Sequence, residues 1–303
     1  MGWSADNIPS LEGRLALVTG ANIGLGLETT RQLARKGARV VMACRDPNKA
    51  AAARDQLQAE GCSDLEALTL DLGDLRSVHN AVQELQYRHS RLDLLINNAG
   101  VMAPPRRTSA QGHEWQLAVN HLGHMALTLG VLPLMASSPA PRVVTVTSGA
   151  QYFGRIRWDD LNWSQRYDRY GAYAQSKLAN VMFALELDSR LRQGNSPVQS
   201  LAAHPGLAKT NLQPTALASA GQPLEALSYQ LMGPLFQSPA MGALPQLHAA
   251  TALSAQGGEH YGPDGLGGLR GYPRQCRIAP AALEPAQRQR LWSLSQELID
   301  DAR

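Results

Sequence analysis

Between Arg14 and Ala203 six short apolar runs alternate with five longer helix-like stretches, and nothing else in the sequence restricts the fold as strongly. Arg14 to Thr19, Ala38 to Ala43, Leu65 to Leu70, Leu92 to Asn97, Arg142 to Ser148 and Pro197 to Ala203 read as strands. Glu28 to Lys36, Pro47 to Glu60, Leu75 to His89, Ser109 to Met135 and Tyr170 to Arg192 read as the helices between them, the first closed by Gly37. Parallel strands must be joined by long crossovers, and helices supply them. The expected fold is therefore α/β, a doubly wound parallel sheet of Rossmann type in a single domain. After His204 the alternation loosens. Residues 207–247, whose charged residues are Lys209 and Glu225, read as a small helical substrate lid. A glycine-rich stretch, Gly257 to Gly271, and a final helix over Pro285 to Asp301 follow.

Charge and composition exclude several functions. The 28 basic and 25 acidic residues are spread along the chain, without the basic stripe that binding a phosphate backbone requires, so nucleic acid is not an expected partner. No run approaches the roughly 18 to 20 apolar residues of a membrane span, and Met1 to Glu12 lacks a signal pattern, so a cytoplasmic location is expected. Three cysteines, Cys44, Cys62 and Cys276, are odd in number and lack CxxC spacing, which points to reduced thiols. His121 and His124 lie three residues apart without a third ligand, so no metal is expected.

The first strand runs into Thr19-Gly20-Ala21-Asn22-Ile23-Gly24-Leu25-Gly26 and then a helix. Glycines at such a turn let backbone N–H groups and the helix N-terminus approach a pyrophosphate. The spacing is GxxxGxG, not GxGxxG, and its βαβ setting is what makes it a dinucleotide turn. At the end of the second strand, where an acidic residue would meet a ribose 2′-hydroxyl, stands Arg45, which suits a 2′-phosphate. NADP(H) is the expected cofactor; Asp46 beside Arg45 keeps NAD open.

Further along come Asn97-Asn98-Ala99-Gly100, Asn120 in a helix, Ser148 at a strand end, Tyr173-Ala-Gln-Ser-Lys177 and His204-Pro205-Gly206. In that order after the glycine turn, these motifs resemble the short-chain dehydrogenases/reductases over about residues 12 to 300. Ala43-Cys44-Arg45-Asp46, Asp159-Asp160-Leu161-Asn162 and Ser176-Lys177-Leu178-Ala179-Asn180, with the long Ser148-to-Tyr173 segment, resemble the retinol dehydrogenase and protochlorophyllide reductase-like branch. One turn apart on a helix, Tyr173 and Lys177 can share a face, and an ammonium there favours the phenolate of a group whose reference pKa is about 10.

The resemblance implies an oxidoreductase that exchanges hydride between NADP(H) and a carbonyl or alcohol carbon. It implies that Tyr173 transfers the proton, Ser148 orients the substrate oxygen, Lys177 also holds the nicotinamide ribose, and Asn120 supports a water-linked proton path. It further implies that Gly20, Asn22, Ile23, Gly24 and Gly26 cradle the phosphates. Asp71 and Leu72 would meet the adenine, Asn98, Ala99 and Gly100 the adenosine ribose side, and Pro205, Gly206 and Thr210 the nicotinamide end. Few charges in 207–247 suit a lipophilic, retinal-like substrate. Trp158 and Trp163 either wall the substrate site or cover the core. Light-driven protochlorophyllide reduction is disfavoured because Leu207 stands where that subfamily is expected to carry cysteine. A non-catalytic NADP sensor is disfavoured by the complete Ser148, Tyr173 and Lys177 set. Family members often pair through the helices carrying Asn120 and Tyr173, so monomer and homodimer both remain open.

Overall fold

The computed structural model describes residues 2–208 and 236–301. Its centre is an eight-stranded sheet in the order β3-β2-β1-β4-β5-β6-β7-β8. The strands are β1 (Leu15–Thr19), β2 (Arg39–Cys44), β3 (Leu65–Thr69), β4 (Leu94–Asn97), β5 (Arg142–Val146), β6 (Gln199–Ala203), β7 (His260–Gly265) and β8 (Arg270–Gln275). All neighbours pair in parallel except β7 and β8. The order reverses between β1 and β4, and a crevice beyond the carboxyl ends of strands forms at such a switch point.

The helices are α1 (Gly24–Arg35), α2 (Pro47–Ala59), α3 (Leu75–Arg88), α4 (Trp115–Met135), α5 (Arg169–Gln193), α6 (Pro239–Thr251), α7 (Pro280–Leu283) and α8 (Pro285–Asp300). Both sheet faces are covered, which is why the strands read as continuous apolar runs. Leu15, Leu17, Val41, Leu95 and Val143 face α3, α4 and α5, whereas Ala16, Val18, Val40, Met42 and Val144 face α1, α2 and α6. Local chemistry starts the helices. The Asp46 carboxylate accepts from the backbone N–H groups of Asn48 (3.0 Å) and Lys49 (3.2 Å), with Pro47 at the first helical position. Asp74 and Asp168 cap α3 and α5 in the same way.

Several boundaries differ from the sequence reading. Helix α4 starts at Trp115, not Ser109, because Gly112 takes a φ of 84° in a turn closed by Ser109 N–H on the His113 carbonyl, and the Glu114 carboxylate caps the Leu117 N–H at 2.7 Å. Residues 260–275 form a hairpin, β7 and β8, where only a glycine-rich stretch was expected. Helix α6 is core and not lid: Gly242 to Thr251 are buried and pack against α1 and the sheet, which explains the low charge there. Residues 209–235 of the expected lid, including Thr210, lie outside the described residues. By length and a mean hydropathy of 1.3, α4 passes for a membrane-crossing helix, yet 72% of that stretch is buried within the fold. Such burial is what a core helix shows.

Candidate active site

The crevice over β1 and β4 holds a cavity of about 480 Å³ lined by Gly20, Asn22, Ile23, Gly24, Gly26, Arg45, Lys49, Asp71, Leu72, Asn98, Ala99 and Gly100. Two glycines are dictated by this geometry. Gly20 has a φ of 65°, and a Cβ on Gly26 would stand 2.2 Å from the Gly20 carbonyl oxygen, so α1 can begin only this close to the turn if no side chain intervenes. The result is a bare backbone cradle at a helix N-terminus, which fits a pyrophosphate. At its far end Arg45 and Lys49 are both exposed to the cavity, while the Asp46 carboxylate caps the start of α2 and pairs with Lys49 Nζ at 3.8 Å. The groove therefore ends at Arg45 and at the Lys49–Asp46 pair.

A second cavity of about 330 Å³ continues from Asn98 and Gly100 to Ser148, Tyr173, Lys177, Pro205 and Gly206. Ser148 stands two residues beyond β5 and caps the 3-10 turn Gly149–Phe153, and its hydroxyl is hydrogen-bonded to that of Tyr173. Tyr173 and Lys177 share one face of α5, with the Lys177 Nζ 5.8 Å from the Tyr173 ring centroid and donating to the Val146 carbonyl at 3.3 Å. Burial pushes the Tyr173 phenol above its usual value, opposed by the Ser148 hydrogen bond, and pushes Lys177 down to about 8. The sequence reading made Lys177 the group that favours the phenolate. In this pocket desolvation governs both groups instead, and each keeps its neutral form more readily than in water. At neutral pH the site thus offers a protonated phenol beside a hydroxyl, the arrangement that can donate a proton to a carbonyl oxygen.

Asn120 lines neither cavity but stands just behind them, in a π-helical turn of α4, Ala118–Leu122. Its Oδ1 accepts from Val101 N–H at 2.8 Å, and its Nδ2 donates to the Val101 carbonyl at 3.0 Å and to Ser176 Oγ at 2.9 Å. A Cβ on Gly100 would lie 3.2 Å from Asn120 Oδ1 and 3.4 Å from Lys177 Nζ, so the three residues meet at one point.

Comparison with known proteins accords with this geometry. The family model described as "short chain dehydrogenase" matches residues 14–220. The chain belongs to the short-chain dehydrogenases. It is 36% identical to human retinol dehydrogenase 13 over 98% of this chain and 88% of that protein. It is 41% identical to mouse polyprenol dehydrogenase over 82% of this chain and 75% of that one. A crystal structure of an uncharacterised protein from Mycobacterium paratuberculosis superposes with a TM-score of 0.82 at 38% identity, covering 99% and 98% of the two chains. This short-chain dehydrogenase is accordingly an oxidoreductase of CH–OH and C=O groups that uses a nicotinamide cofactor.

Except for Asn120, which stands behind the site, and Thr210, the cofactor and proton-transfer residues implied by the resemblance all line one of the two cavities. Others of this dehydrogenase were missed. Lys49 was hidden by its place inside a helix. Thr19 Oγ1 accepts from the backbone N–H groups of Asn98 and Ala99, both at 2.9 Å, and Gln246 Nε2 reaches Asn98 Oδ1 at 3.2 Å from α6. No spacing rule marks such supports. Trp158 and Trp163 cover the protein and, among the described residues, do not line the catalytic cavity: Trp158 packs on the Leu178 and Met182 cluster beneath Arg290, and Trp163 lies under Arg157. His121 is committed to Ser295 Oγ at 2.9 Å.

Proposed function

We propose that this chain is an NADP(H)-dependent reductase of a lipophilic aldehyde or ketone, running in reverse as an alcohol dehydrogenase. The observation that carries the reading is the Ser148–Tyr173 hydroxyl pair, with the buried Lys177 beside it, at the inner end of a nucleotide-shaped groove. When bound, the cofactor supplies or takes up the hydride. Ser148 and Tyr173 donate hydrogen bonds to the substrate oxygen and so favour the negative charge that develops there. As the carbon gains hydride, the C=O bond becomes C–O–H by taking the phenolic proton of Tyr173. The Lys177 ammonium then stabilises the tyrosinate left behind, and the Asn120 side of the site lies where proton replenishment would run. Arg45 supports the 2′-phosphate preference as a cation facing the groove, and Lys49, paired with Asp46, lies beside it.

Leu25, Val101, Met102, Val146, Phe153 and Leu207 give the catalytic cavity an apolar wall, which suits a hydrocarbon-bearing substrate such as the retinoids or polyprenols named for the relatives. A panel of long-chain, branched and retinal-like aldehydes, followed by loss of NADPH absorbance, tests this. Turnover confined to small polar carbonyls would refute it. A cytoplasmic location is part of the same proposal, supported by three unpaired cysteines. So is a monomeric state, because α8 already sits on the helices through which pairing was expected: Trp292 stacks on Phe183 of α5 at 5.8 Å, and Ser295 meets His121 of α4. Light scattering at the mass of two chains would overturn it.

A further inference from the structure

Under the groove lies a buried imidazole that the reaction steps above do not use. His124, on α4, is 1% exposed and spans two elements: its Nε2 is 2.9 Å from Thr19 Oγ1 at the end of β1, and its Nδ1 is 3.1 Å from the backbone carbonyl oxygen of Asn120. The surrounding bonds settle which nitrogen carries the proton. Thr19 Oγ1 already accepts two backbone N–H bonds, from Asn98 and Ala99, so its own proton must be donated. His124 Nε2 at 2.9 Å is a far better acceptor than the Ile96 carbonyl at 3.4 Å. Nε2 therefore accepts, and Nδ1–H donates to Asn120. A neutral ring in one tautomer satisfies every group at once, and burial keeps it neutral, holding its pKa at about 3, with Asn120, the Lys177 charge and His121 the other groups that act on it.

The chain of bonds extends beyond the histidine. Asn120 Nδ2 donates to Ser176 Oγ, and Ser176 Oγ–H donates to the Tyr173 carbonyl at 2.8 Å. From Thr19 to Tyr173 the line is continuous, and Thr19, Asn120 and Ser176 are fully buried. Thr19 fixes the Asn98–Ala99 backbone that lines the nucleotide groove. Asn120 lies in a π turn of α4, where the ladder is irregular and the Gly123 N–H reaches back five residues to the Ala118 carbonyl. We propose that His124 is a positioning residue with two separable duties, one end holding the Thr19 anchor of the nucleotide groove and the other holding the Asn120 carbonyl beside the catalytic tyrosine and lysine. This rests on the cofactor and proton-transfer roles proposed above.

Two isosteric substitutions divide the duties. In His124→Asn the side-chain amide nitrogen stands where Nδ1 stood, keeping the bond to Asn120 and losing the one to Thr19. In His124→Gln the side-chain oxygen stands where Nε2 stood, keeping Thr19 and losing Asn120. Each lost buried hydrogen bond is expected to change the matching parameter by about tenfold. His124→Asn should act on the dissociation constant of NADPH, read by fluorescence titration, in preference to single-turnover hydride transfer. His124→Gln should slow hydride transfer in preference to binding. Circular dichroism and melting of both variants accompany the assay, with Tyr173→Phe in parallel. Opposite splits in the two variants support the proposal. Equal losses in both parameters, or none, overturn it. A Tyr173→Phe enzyme that still transfers hydride at the wild-type rate would instead remove the reaction scheme, a distinguishable failure.

Discussion

Replacing Lys177 by Met should make the ligand-free protein more stable while abolishing its activity. Lys177 is 4% exposed, and burial holds its ammonium at about 8 against 10.5 in the unfolded chain. At about 1.36 kcal/mol per pH unit, the penalty for carrying that charge in the folded state is about 3 kcal/mol. The sign follows from the direction of displacement. Because the folded value lies below the unfolded one, the penalty is complete below about pH 8, shrinks between about 8 and 10.5, and is gone above. The one hydrogen bond lost, to the Val146 carbonyl, costs little, since Asn180 Nδ2 still reaches that carbonyl at 3.1 Å. Methionine fills similar space with an apolar chain. A net gain of about 2 kcal/mol, or on the order of 4 °C in melting temperature for a protein of this size, is expected at pH 7. Thermal unfolding of both proteins without cofactor, at about pH 7 and again at about pH 9.5, should show the gain shrinking at the higher pH. A destabilised Met variant at pH 7, or a gain independent of pH, would refute the reasoning.

Arg45→Ala should weaken NADPH about tenfold and leave NADH nearly unchanged, with Lys49→Ala producing a smaller effect in the same direction; equal changes for both cofactors by fluorescence titration would contradict the phosphate assignment. NADPH affinity should fall as pH rises through about 8, where Lys177 of the free enzyme loses its charge, and an affinity unchanged to about pH 9 would count against that lysine as a ribose contact. Tyr173, raised above its ordinary value, stays protonated through the neutral range, so carbonyl reduction should be flat there while alcohol oxidation climbs with pH. Parallel pH profiles in the two directions would break this assignment.

Six strands, the dinucleotide turn and the Ser148, Tyr173 and Lys177 set were legible in the sequence because periodicity and motif order are local signals. The β7–β8 hairpin was not. Pro263 pairs with Pro273 there, and proline and glycine within a run argue against a strand unless it lies at an edge, as β8 does. Helix α6 read as lid because burial in the core and contact with a greasy ligand both deplete charge. At the site, Tyr173, Lys177 and Ser148 were found by spacing, whereas Thr19, His124 and Gln246 act through bonds across 77 to 217 positions of chain and leave no pattern. Lys177's coupling to Tyr173 was expected as a charge effect, whereas burial raises the phenol and lowers the ammonium.

Single-turnover hydride transfer by Tyr173→Phe tests the central claim most directly. With NADPH bound in excess and a substrate from the aldehyde panel mixed rapidly, loss of the phenolic proton should slow NADPH oxidation by roughly 10²- to 10⁴-fold while the NADPH dissociation constant stays near wild type. A phenylalanine variant that oxidises NADPH at the wild-type rate in that experiment would contradict Tyr173 as the proton donor and, with it, the account of how this site works.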